Sequence, residues 1–568
     1  MKKEKRLVTA ALTYVNNIPH VGHIVGCHLP ADIFARYSRS AGYDTTFIGG
    51  SDMHGTPAMV TAQEHNMSVE DLTAKLHSIH DKIYKKLGIS YDIYSNTHTK
   101  VHEEITKEFF LKLLDQGYIN TADIEMFYCD KDKMFLPDRF VVGTCPKCGN
   151  EGANGDQCEK CDSLFSLNEL KNARCKICGE PATLKKSKHI FLNLSKDIDK
   201  LSQWIESKKD IWRPHVYSEA KRWVSEGLKD RCISRDIKWG FNIPMQGFED
   251  KVFYVWFDAP IGYISITKEL SEQKYQDLWV KKDAKIYNFV GKDNIQFHTI
   301  FFPTMQIENG DYNLAHNVVG LNFLNYEGQK VSKSKGVGVF FGALVNDDQN
   351  NIDIDTMRAY LTTVIPENRD TDFKWDSFKD NTNSELVGKL GNLFNRTLNM
   401  IQKNFEGKMN FDLEGVELDD NDKELLERIE NAPKEIADSF EKAELREAYK
   451  KIMAYASVGN LYLEKTAPWQ LIKQERMDEV KKVLYLCLNL CASLAIVASP
   501  IMPNKMKQIW TEQIGLPGDP TADDMWEQAS KLLITKDHVA LKPQPLFERL
   551  DDEKLEAIKK VFSVPYEF

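Results

Sequence analysis

The sequence predicts an α/β domain built on a parallel sheet, with a cysteine-rich segment inserted into it and a bundle of helices after it. Apolar strand-like runs alternate with helical runs up to about Gly117, as in "RLVTAALTYV" followed by "GHIVGCHLPADIFARYSRSAGYD". This alternation stops in a cysteine-rich piece and resumes at "KVFYVWFDAPIGY". From about Ser384 onward, long helical periods with few turn signals take over. Alternating strands and helices predict βαβ units, and the later periods predict a helix bundle.

Composition indicates a globular protein with more than one domain and no membrane segment. The chain has 568 residues, 42% of them hydrophobic, which is enough for several cores. Its net charge of −10 argues against a protein that coats nucleic acid nonspecifically, but does not exclude a selective RNA partner. The basic N-terminus leads into a short apolar run without a cleavage site, which we interpret as the first strand. The longest apolar run, near "YLCLNLCASLAIVASPIMP", contains Asn489 and Ser493 and is expected to be a buried bundle helix.

Two histidines follow the first predicted strand, in the motif HVGH at His20–His23. In a doubly wound sheet, ligands bind at the carboxyl ends of strands, and the following helix offers its N-terminus to anions. Gly22 would let a nucleotide approach the backbone, and His20 and His23 could donate hydrogen bonds to phosphate oxygens. A pair of capping or surface histidines is the alternative interpretation, and this short motif alone does not decide between them.

A second motif, KVSKS at Lys330–Ser334, is flanked by glycines. Lys330 and Lys333 supply two cations, and Ser332 and Ser334 supply hydroxyl donors. A mobile cationic loop can close on a polyphosphate and stabilise the departing pyrophosphate. Taken alone, the motif would be interpreted as a solvated basic loop.

Together, HVGH and KVSKS resemble the two motifs of class I aminoacyl-tRNA synthetases, which activate an amino acid with ATP and transfer it to the terminal adenosine of tRNA. Further stretches, spread over nearly the whole chain, are similar to methionyl-tRNA synthetases of the archaeal and eukaryotic cytosolic type. These stretches are AALTY at Ala10–Tyr14, SDMHGTP at Ser51–Pro57, FLPDRFVVGTCPKC at Phe135–Cys148, ISRDIKWGF at Ile233–Phe241, YVWFDAPIGY at Tyr254–Tyr263, GKDNIQFH at Gly291–His298 and APWQL at Ala467–Leu471.

This resemblance implies a Rossmann-type catalytic domain with an inserted zinc-knuckle domain, followed by an α-helical anticodon-binding bundle. It implies a cytoplasmic methionine–tRNA ligase whose partners are ATP with Mg²⁺, L-methionine and a tRNA with a CAU anticodon. A monomer is the expectation for the chain as given. The expected domain limits are 1–117 and 230–322 for the two halves of the catalytic domain, 118–229 for the insert, 323–383 for the KVSKS loop and stem-contact region, 384–545 for the bundle and 546–568 for a C-terminal tail.

The resemblance also assigns residues to the two substrates. Methionine is long and polarisable, so its pocket should be apolar and aromatic. Asp52 is expected to take the ammonium group, and Tyr14 and His298 to present hydrogen-bonding groups toward the thioether sulfur. The implied methionine site is Ala11, Leu12, Tyr14, Asp52, Trp256, Ala259, Pro260, Tyr263 and His298, with the role of Asn294 left open. The implied ATP site is His20, Gly22, His23, Gly291, Asp293, Lys330, Ser332, Lys333 and Ser334, of which His20, His23, Lys330 and Lys333 are the catalytic residues.

The cysteines predict metal binding rather than a disulfide framework. Seven of the eleven fall between positions 129 and 178, largely in CxxC pairs. The spacing of a tetrahedral four-cysteine zinc site is found at Cys145, Cys148, Cys158 and Cys161. A structural role is expected for this zinc, because four cysteine ligands leave no position for a substrate.

A third CxxC pair, Cys175 and Cys178, needs partners upstream. Related enzymes with two zincs carry a CxxC pair there, whereas this chain has Cys129 and, in place of the second cysteine, Asp132. Aspartate can bind zinc, but three cysteines and an aspartate form an unusual structural site. A second zinc and a metal-free knuckle are both left open.

Three bundle residues match positions that read the CAU anticodon in the family: Asn392, Arg396 and Trp469. Anticodon reading needs aromatic stacking and hydrogen-bond donors. Asn392 and Arg396 share one helix face, and Trp469 follows Pro468 at a helix break where it can project outward. Without the resemblance, a core tryptophan and a surface arginine would be the simpler interpretation.

Three other functions are left open by the sequence. Another class I ligase, such as the cysteine or leucine enzyme, would differ in the amino acid that drives pyrophosphate exchange. A nucleotidyltransferase that does not use tRNA could carry HVGH, but it would not need the three bundle residues. A zinc-knuckle RNA-binding module would leave KVSKS and the pocket residues unexplained.

Overall fold

The computed structural model describes residues 3–137, 140–155, 157–158, 160–161, 163–164, 169–310, 312–332, 336–345 and 353–563. Six strands, all paired in parallel, form the sheet of the catalytic domain. Across the sheet they follow the order Asn317–Leu321, Ala284–Gly291, Lys5–Ala10 and Asp44–Asp52, with both Thr13–Tyr14 and Ile93–Asn96 paired to Asp44–Asp52. The predicted parallel α/β sheet is therefore confirmed.

The order of the strands places a crevice at the centre of the sheet. The chain leaves Lys5–Ala10 toward Asp44–Asp52 on one side, and later adds Ala284–Gly291 on the other side. Helices that diverge from such a reversal leave room for a ligand beyond the carboxyl ends of the two central strands. The helices and helical turns of this part of the chain are Val21–His23, Ile24–His28, Leu29–Ser40, Thr56–Glu64, Val69–Lys86, Lys100–Asp115, Ile198–Glu206, Pro214–Glu226, Val255–Asp258, Ala259–Ile261, Gly262–Leu270, Glu272–Tyr275, Gln276–Val280, Lys292–Asn294, Phe297–Phe301 and Phe302–Asn309.

The insert consists of small antiparallel sheets. A four-stranded sheet contains Arg231–Cys232, Thr183–Leu192, Ile119–Cys129 and Met134–Phe135. The knuckle region adds a sheet of Lys171–Cys175, Val141–Thr144 and Ala153–Asn154, and a pair of short strands, Ser163–Leu164 and Gln157–Cys158. A further pair, Ser234–Arg235 and Val252–Phe253, leads back into the catalytic domain.

The domain limits expected for the insert stay a prediction, and the packing favours a shorter insert. Val216 and Ala220 of the helix Pro214–Glu226 belong to the core cluster of the catalytic domain. The Arg213 guanidinium donates to the carbonyl of Gly320 in the catalytic sheet, at 3.1 Å. We therefore place the end of the insert closer to Leu192 than to position 229.

A small sheet and a helical bundle complete the chain. The sheet contains Gln329–Lys330, Leu324–Tyr326 and Thr371–Phe373. Its neighbours and the bundle comprise the helical segments Phe341–Val345, Ile354–Thr363, Trp375–Asn381, Thr382–Gly391, Asn392–Phe405, Asp420–Glu441, Leu445–Thr466, Pro468–Lys473, Met477–Ala498, Pro503–Ile509, Trp510–Ile514, Trp526–Ser530 and Asp552–Phe562.

The apolar helix Met477–Ala498 forms the centre of the bundle. Within the described residues it is the one helix long and apolar enough to cross a membrane, and 89% of its most apolar window is buried inside the protein. Gly459 lets the helix Leu445–Thr466 lie against it, since a Cβ there would come within 2.4 Å of a methyl group of Leu490. The interpretation of this run as a buried bundle helix agrees with its packing.

Candidate active site

A cavity of about 520 Å³ opens at the central crevice of the sheet. It lies beyond the carboxyl ends of Lys5–Ala10 and Ala284–Gly291, where a doubly wound sheet binds its ligand. All nine residues expected at the methionine site line it, as do Gly22, His23, Gly291 and Asp293 of the expected ATP site. His20, Lys330 and Ser332 are described but are not among the lining residues, and Lys333 and Ser334 lie outside the described residues.

The two histidines of HVGH cap the short helix that they open. The Nδ1 atom of His20 accepts from the backbone N–H of Gly22 at 3.1 Å, and the Nδ1 atom of His23 accepts from the backbone N–H of His20 at 3.2 Å. A backbone N–H can only donate, so each neutral ring must carry its proton on Nε2. The capping interpretation and the donor interpretation are therefore compatible, because the cap fixes the tautomer that leaves an Nε2–H donor on both rings.

Both rings are neutral at physiological pH. Burial lowers the pKa of His20 well below its usual value, with a further contribution from His23, and burial lowers the pKa of His23 to about 4. Burial disfavours the charged form of an imidazole. The two histidines therefore offer hydrogen bonds to an anion without adding positive charge of their own.

Gly22 has a second role beside the one expected from the sequence. A Cβ at this position would come within 2.9 Å of Cε1 and 3.0 Å of Nδ1 in the His20 ring. The glycine therefore leaves room for His20 to fold back over the backbone and form its cap. Its position on the cavity wall also agrees with the close approach of a ligand.

The segment after KVSKS lies directly against HVGH. His20 forms an antiparallel β-bridge with Phe340, and the backbone N–H of Val21 donates to the carbonyl of Val339 at 2.9 Å. Lys330 ends the strand Gln329–Lys330 and is close enough to Asp293 to act on its charge. Burial raises the pKa of Asp293, and the positive charges of Lys330 and Lys292 oppose that rise. Lys330 and the segment Val339–Phe340 that follows KVSKS thus lie close to HVGH and Asp293, which are far away in sequence.

Asp52 is the residue in the cavity that most clearly lacks a partner. It ends the strand Asp44–Asp52, is 4% exposed, and its Oδ1 atom is buried without a hydrogen bond within the described residues. Burial and the nearby Asp258 carboxyl raise its pKa well above the usual value, while donors from the His54 backbone and Thr97 oppose the rise. A cationic group would supply the interaction that the buried oxygen lacks.

Tyr263 and His298 form a hydrogen-bonded chain along the cavity wall. The Nδ1–H of His298 donates to the backbone carbonyl of Asn294 at 2.8 Å, which leaves Nε2 to accept from the Tyr263 hydroxyl at 2.8 Å. The hydroxyl oxygen in turn accepts from the backbone N–H of Leu12. Asn294 lines the cavity and fixes the His298 tautomer through its main chain, which gives a structural function to a residue whose role the sequence left open.

Tyr14 lies on another part of the wall, where it receives a hydrogen bond from Trp256. The cavity also includes residues that sequence reasoning did not single out, namely Thr13, Asn16, Gly26, Cys27, Val255 and Phe297. Several of them lie on or beside π-helical turns, Ile24–His28 and Phe297–Phe301, where the extra residue in a turn re-aims side chains. Residue periodicity in the sequence gives no sign of π-helical turns. Both turns nevertheless lie beside motifs that the sequence analysis recognised, HVGH and GKDNIQFH.

The first cysteine knuckle brings its four sulfurs together. The Sγ atoms of Cys145 and Cys161 are 3.9 Å apart, those of Cys148 and Cys158 are 3.6 Å apart, and all four lie within 4.8 Å of one another. The backbone N–H of Cys148 donates to the sulfur of Cys145 at 3.4 Å. Four thiols at this separation suit a tetrahedral zinc with Zn–S bonds of about 2.3 Å.

The four ligand atoms of the second knuckle also lie within 4.8 Å of one another, but they are three cysteine sulfurs and one carboxylate oxygen. Asp132 Oδ2 is 3.2 Å from the sulfurs of both Cys129 and Cys175, and the sulfurs of Cys129 and Cys178 are 3.4 Å apart. The backbone N–H of Asp132 also donates to the sulfur of Cys129, at 3.3 Å. The chain thus folds Asp132 into the place of a fourth ligand, and the donor set fits a zinc ion.

The three residues expected at the anticodon lie together on the bundle. The Arg396 guanidinium is 5.2 Å from the centre of the Trp469 ring. The side-chain amide of Asn392 donates to the side-chain oxygen of Asn460 at 2.9 Å, and Asn460 lies on the helix Leu445–Thr466. Trp469 is 37% exposed at the start of the helix Pro468–Lys473, after Ala467 breaks the preceding helix in a left-handed conformation. The tryptophan is therefore at the surface rather than in the bundle core.

Comparison with known proteins decides the family. A sequence model described as tRNA synthetases class I (M) matches residues 6–398, and one described as the anticodon binding domain of methionyl tRNA ligase matches residues 413–566. A methionine–tRNA ligase of Bacteroides fragilis (strain YCH46) is 39% identical over 554 residues, or 98% of this chain and 80% of that protein. One from Sulfolobus acidocaldarius is 38% identical over 566 residues, covering 98% and 97% of the two chains. The chain belongs to the class I methionyl-tRNA synthetases.

This family membership confirms the expected fold class and the expected activity, an ATP-dependent methionine–tRNA ligase. The fold is also that of the Mycobacterium tuberculosis methionyl-tRNA synthetase in complex with methionyl-adenylate, with a TM-score of 0.79, 24% sequence identity, and coverage of 97% of this chain and 100% of that one. A methionyl-tRNA synthetase needs one site for methionine beside ATP and a second site for the anticodon. The cavity and the exposed face around Trp469 are the candidates for these two sites.

Proposed function

We propose that the cavity holds methionine and ATP side by side and joins them as methionyl-adenylate. The observation that carries this proposal is the combination, in one cavity, of a buried carboxyl oxygen without a partner, an aromatic wall and the HVGH helix. Asp52 would receive the methionine ammonium group. The side chain would lie against Trp256, Pro260 and Tyr263, and the sulfur would meet the polar chain of Tyr263 and His298.

The phosphates of ATP would lie against HVGH. The methionine carboxylate attacks the α-phosphorus, the bond to the bridging oxygen breaks, and pyrophosphate leaves. No protein nucleophile is needed, so catalysis consists of positioning and stabilisation of the charge that develops on the phosphates. The Nε2–H groups of His20 and His23 suit this role because they are neutral donors held rigidly by their caps. ATP enters as its Mg²⁺ complex, and Lys330 and the KVSKS loop would act on the departing pyrophosphate.

The open backbone at Gly291 supports an adenosine position beside Asp293. A Cβ on Gly291 would meet nothing within 4 Å, so the wall there is free for the nucleoside. In the second step the 2′-hydroxyl of the terminal adenosine of tRNA takes the methionyl group and AMP leaves. Asn392, Arg396 and Trp469 would contact the CAU anticodon at the far end of the same tRNA.

We further propose that both knuckles hold structural zinc. Cys145, Cys148, Cys158 and Cys161 would hold the first ion, and Cys129, Asp132, Cys175 and Cys178 would hold the second. Neither site is part of the cavity lining, so the ions would fold the insert and would not touch the substrates. A cytoplasmic location is supported by the name of a relative from Caenorhabditis elegans, "Methionine--tRNA ligase, cytoplasmic", which is 38% identical over 570 residues.

The test is pyrophosphate exchange into ATP, measured with each standard amino acid in turn. Methionine should give by far the highest kcat/KM, and exchange driven equally well by leucine or cysteine would contradict the proposal. Asp52→Asn should weaken methionine binding by about 100-fold or more, because it removes one member of a buried charge pair. Asp44→Asn is the matched control, since Asp44 begins the same strand but pairs with Lys274 at the surface.

A further inference from the structure

A second buried carboxyl lies next to Asp52, and the proposed reaction gives it no role. Asp258 ends the helix Val255–Asp258, is fully buried and does not line the cavity. Its Oδ1 atom has no hydrogen-bond partner within the described residues. His54 connects the two acids, since its backbone N–H donates to Asp52 and its ring contacts Asp258. A second acid therefore lies behind the carboxyl that lines the proposed methionine site.

Asp258 is the inner end of a hydrogen-bonded chain that reaches solvent. Its Oδ2 atom is 2.6 Å from Nδ1 of His54, and Nε2 of His54 is 2.9 Å from Nδ1 of His98. His54 is buried and His98 is exposed. The rings of Trp239 and Phe241 pack against both histidines, with centroid separations of 4.5 to 5.6 Å, and shield the inner part of the chain from water.

The surroundings do not neutralise two negative charges. The ionisable groups that face the acids and the two histidines are Tyr14, Tyr254, Glu70, His102 and Glu103. Tyrosine and neutral histidine carry no charge at neutral pH, and the two glutamates are acids themselves. Burial raises the pKa of Asp258 and of Asp52 well above their usual values. Two neighbouring carboxyls in such a site cannot both be ionised at low cost, which favours a proton on one of them.

The two acids differ in what they face. Both carboxyls receive hydrogen bonds that favour the ionised form, Asp52 from the His54 backbone and Thr97, and Asp258 from its own backbone N–H and that of Ala259. Of the two, Asp52 lines the cavity, where a cationic ligand can pair with it. Asp258 is sealed from the cavity, and its Oδ2 atom meets a ring nitrogen that can accept a proton as well as donate one. Burial lowers the pKa of His54 to about 3, so its ring is neutral and can act as the acceptor.

We propose that Asp258 is the protonated partner of Asp52, donating from its Oδ2 to His54, so that Asp52 is the single anion that meets the amino-acid ammonium group. The proposal rests on the proposed methionine site. The proton reaches Asp258 through the chain of rings. A solvent proton binds Nε2 of His98, the Nδ1 proton of His98 passes to Nε2 of His54, and the Nδ1 proton of His54 passes to Asp258. Both rings end neutral with their protons on Nε2, and the net change is one proton added to Asp258.

Histidine ring tautomers in the free protein test this assignment without any substrate. Nitrogen-15 spectra of the imidazole groups should show His54 and His98 as neutral Nε2–H tautomers at pH 7, with His54→Gln and His98→Gln used to assign the signals. Finding His54 with a proton on Nδ1 would overturn the proposal, because that ring would be donating to an ionised Asp258. A merely structural hydrogen bond would not prefer the Nε2–H form.

Methionine affinity, measured by calorimetry, supplies the second test. Asparagine resembles a protonated aspartate in shape and can donate to His54, so Asp258→Asn should weaken binding by no more than about threefold. Asp258→Ala should weaken it by at least tenfold more than Asp258→Asn, because it leaves His54 without a partner. If Asp258→Asn is as damaging as Asp52→Asn, Asp258 is ionised and the proposal is wrong. Failure of the wild-type protein to bind methionine would instead refute the proposed function, and the tautomer spectrum would still decide the protonation of Asp258.

Discussion

Asp132 offers the sharpest test of the second knuckle, because one aspartate stands where a cysteine would complete a four-cysteine set. Its Oδ2 atom lies 3.2 Å from each of two sulfurs, in the position of a fourth ligand. Zinc-finger peptides with four ligands reach apparent zinc-binding free energies of about 10–16 kcal/mol. That range corresponds to about seven to eleven decades of zinc affinity. If the four ligands contribute equally, each contributes about two to three decades. We expect Asp132→Ala to weaken one of two zinc ions by about that factor.

The assay is a titration of the purified protein with a chromophoric zinc chelator, read as zinc released per chain. The wild-type protein should hold two ions tightly, and Asp132→Ala should hold one tightly and one weakly. Asp130→Asn is the matched control, because Asp130 is in the same turn but pairs with Lys185 at 2.5 Å and does not contact the sulfurs. Cys148→Ser should release the other ion, which would assign each loss to its knuckle.

Two outcomes would refute this reasoning about the second knuckle. A wild-type protein that holds a single zinc, with Asp132→Ala indistinguishable from it, would mean that the second donor set is metal-free. Equal weakening by Asp130→Asn and Asp132→Ala would mean that general distortion of the turn, rather than loss of a ligand, determines the affinity. Asp132→Cys adds a gain-of-function test, since four thiolates should bind zinc at least as tightly as the natural set.

Further predictions concern the reacting groups, the anticodon face and the domain junction. His23→Ala should lower the rate of methionine-dependent pyrophosphate exchange by a factor of about 10² to 10³, because one hydrogen-bond donor to the developing charge is lost. The methionine Kd should stay nearly unchanged, and an equal rise in this Kd would contradict the role of His23. Trp469→Ala should reduce charging of a CAU tRNA by about one to two decades and leave pyrophosphate exchange intact. Leu461→Ala is the control, because Leu461 is an exposed residue on the preceding helix. Loss of both activities together with a lower Tm would instead indicate that Trp469 has a packing role. Arg358→Met should lower the free energy of unfolding by about 1.5–3 kcal/mol, since the buried Asp32 carboxyl loses one of its two arginine partners and keeps Arg36 at 2.9 Å. An unchanged urea midpoint would refute this. Burial alone would raise the pKa of Asp32, but Arg36 and Arg358 outweigh it and hold the pKa at about 2, below the unfolded value, so the stabilisation is present above about pH 4 and is lost as the pH falls toward 2.

The fold and the general location of the site could be predicted because each depends on local pattern and topology. Alternating strands and helices predicted the parallel sheet, and the position of HVGH after the first strand placed it at the crevice. The resemblance to a known family then supplied residues such as Trp256 and His298, and all nine residues of the methionine set line one cavity. Their grouping comes from strand ends that meet at one edge of the sheet, which the predicted topology already implied.

The details that determine protonation could not be predicted, because they depend on contacts between distant segments. The Nε2–H tautomer of His23 follows from a hydrogen bond to the backbone of His20, and that bond exists only once the short helix has formed. The pairing of Asp258 with His54 joins positions more than two hundred residues apart, and no periodicity links them. The limits of the insert stay a prediction, and the packing of Val216 against the catalytic core could not be foreseen, since an amphipathic helix does not reveal which domain it will cover.

The contacts between the catalytic domain and the bundle hold the two proposed sites at a fixed separation. The helix Leu29–Ser40, which follows HVGH, carries Asp32 and Tyr37. The Asp32 carboxylate pairs at 2.7 Å with Arg358, whose guanidinium also donates to the carbonyls of Pro500 and Ile501 in the bundle. The Tyr37 hydroxyl donates to Glu441 at 2.8 Å. Because these contacts are buried or half-buried and join the same helix to the bundle, the anticodon face is held at a fixed place relative to HVGH. If Trp469 contacts the anticodon as proposed, binding there would position the acceptor end of the tRNA, and a change at Trp469 should affect charging through the tRNA and not through the chemistry of the cavity.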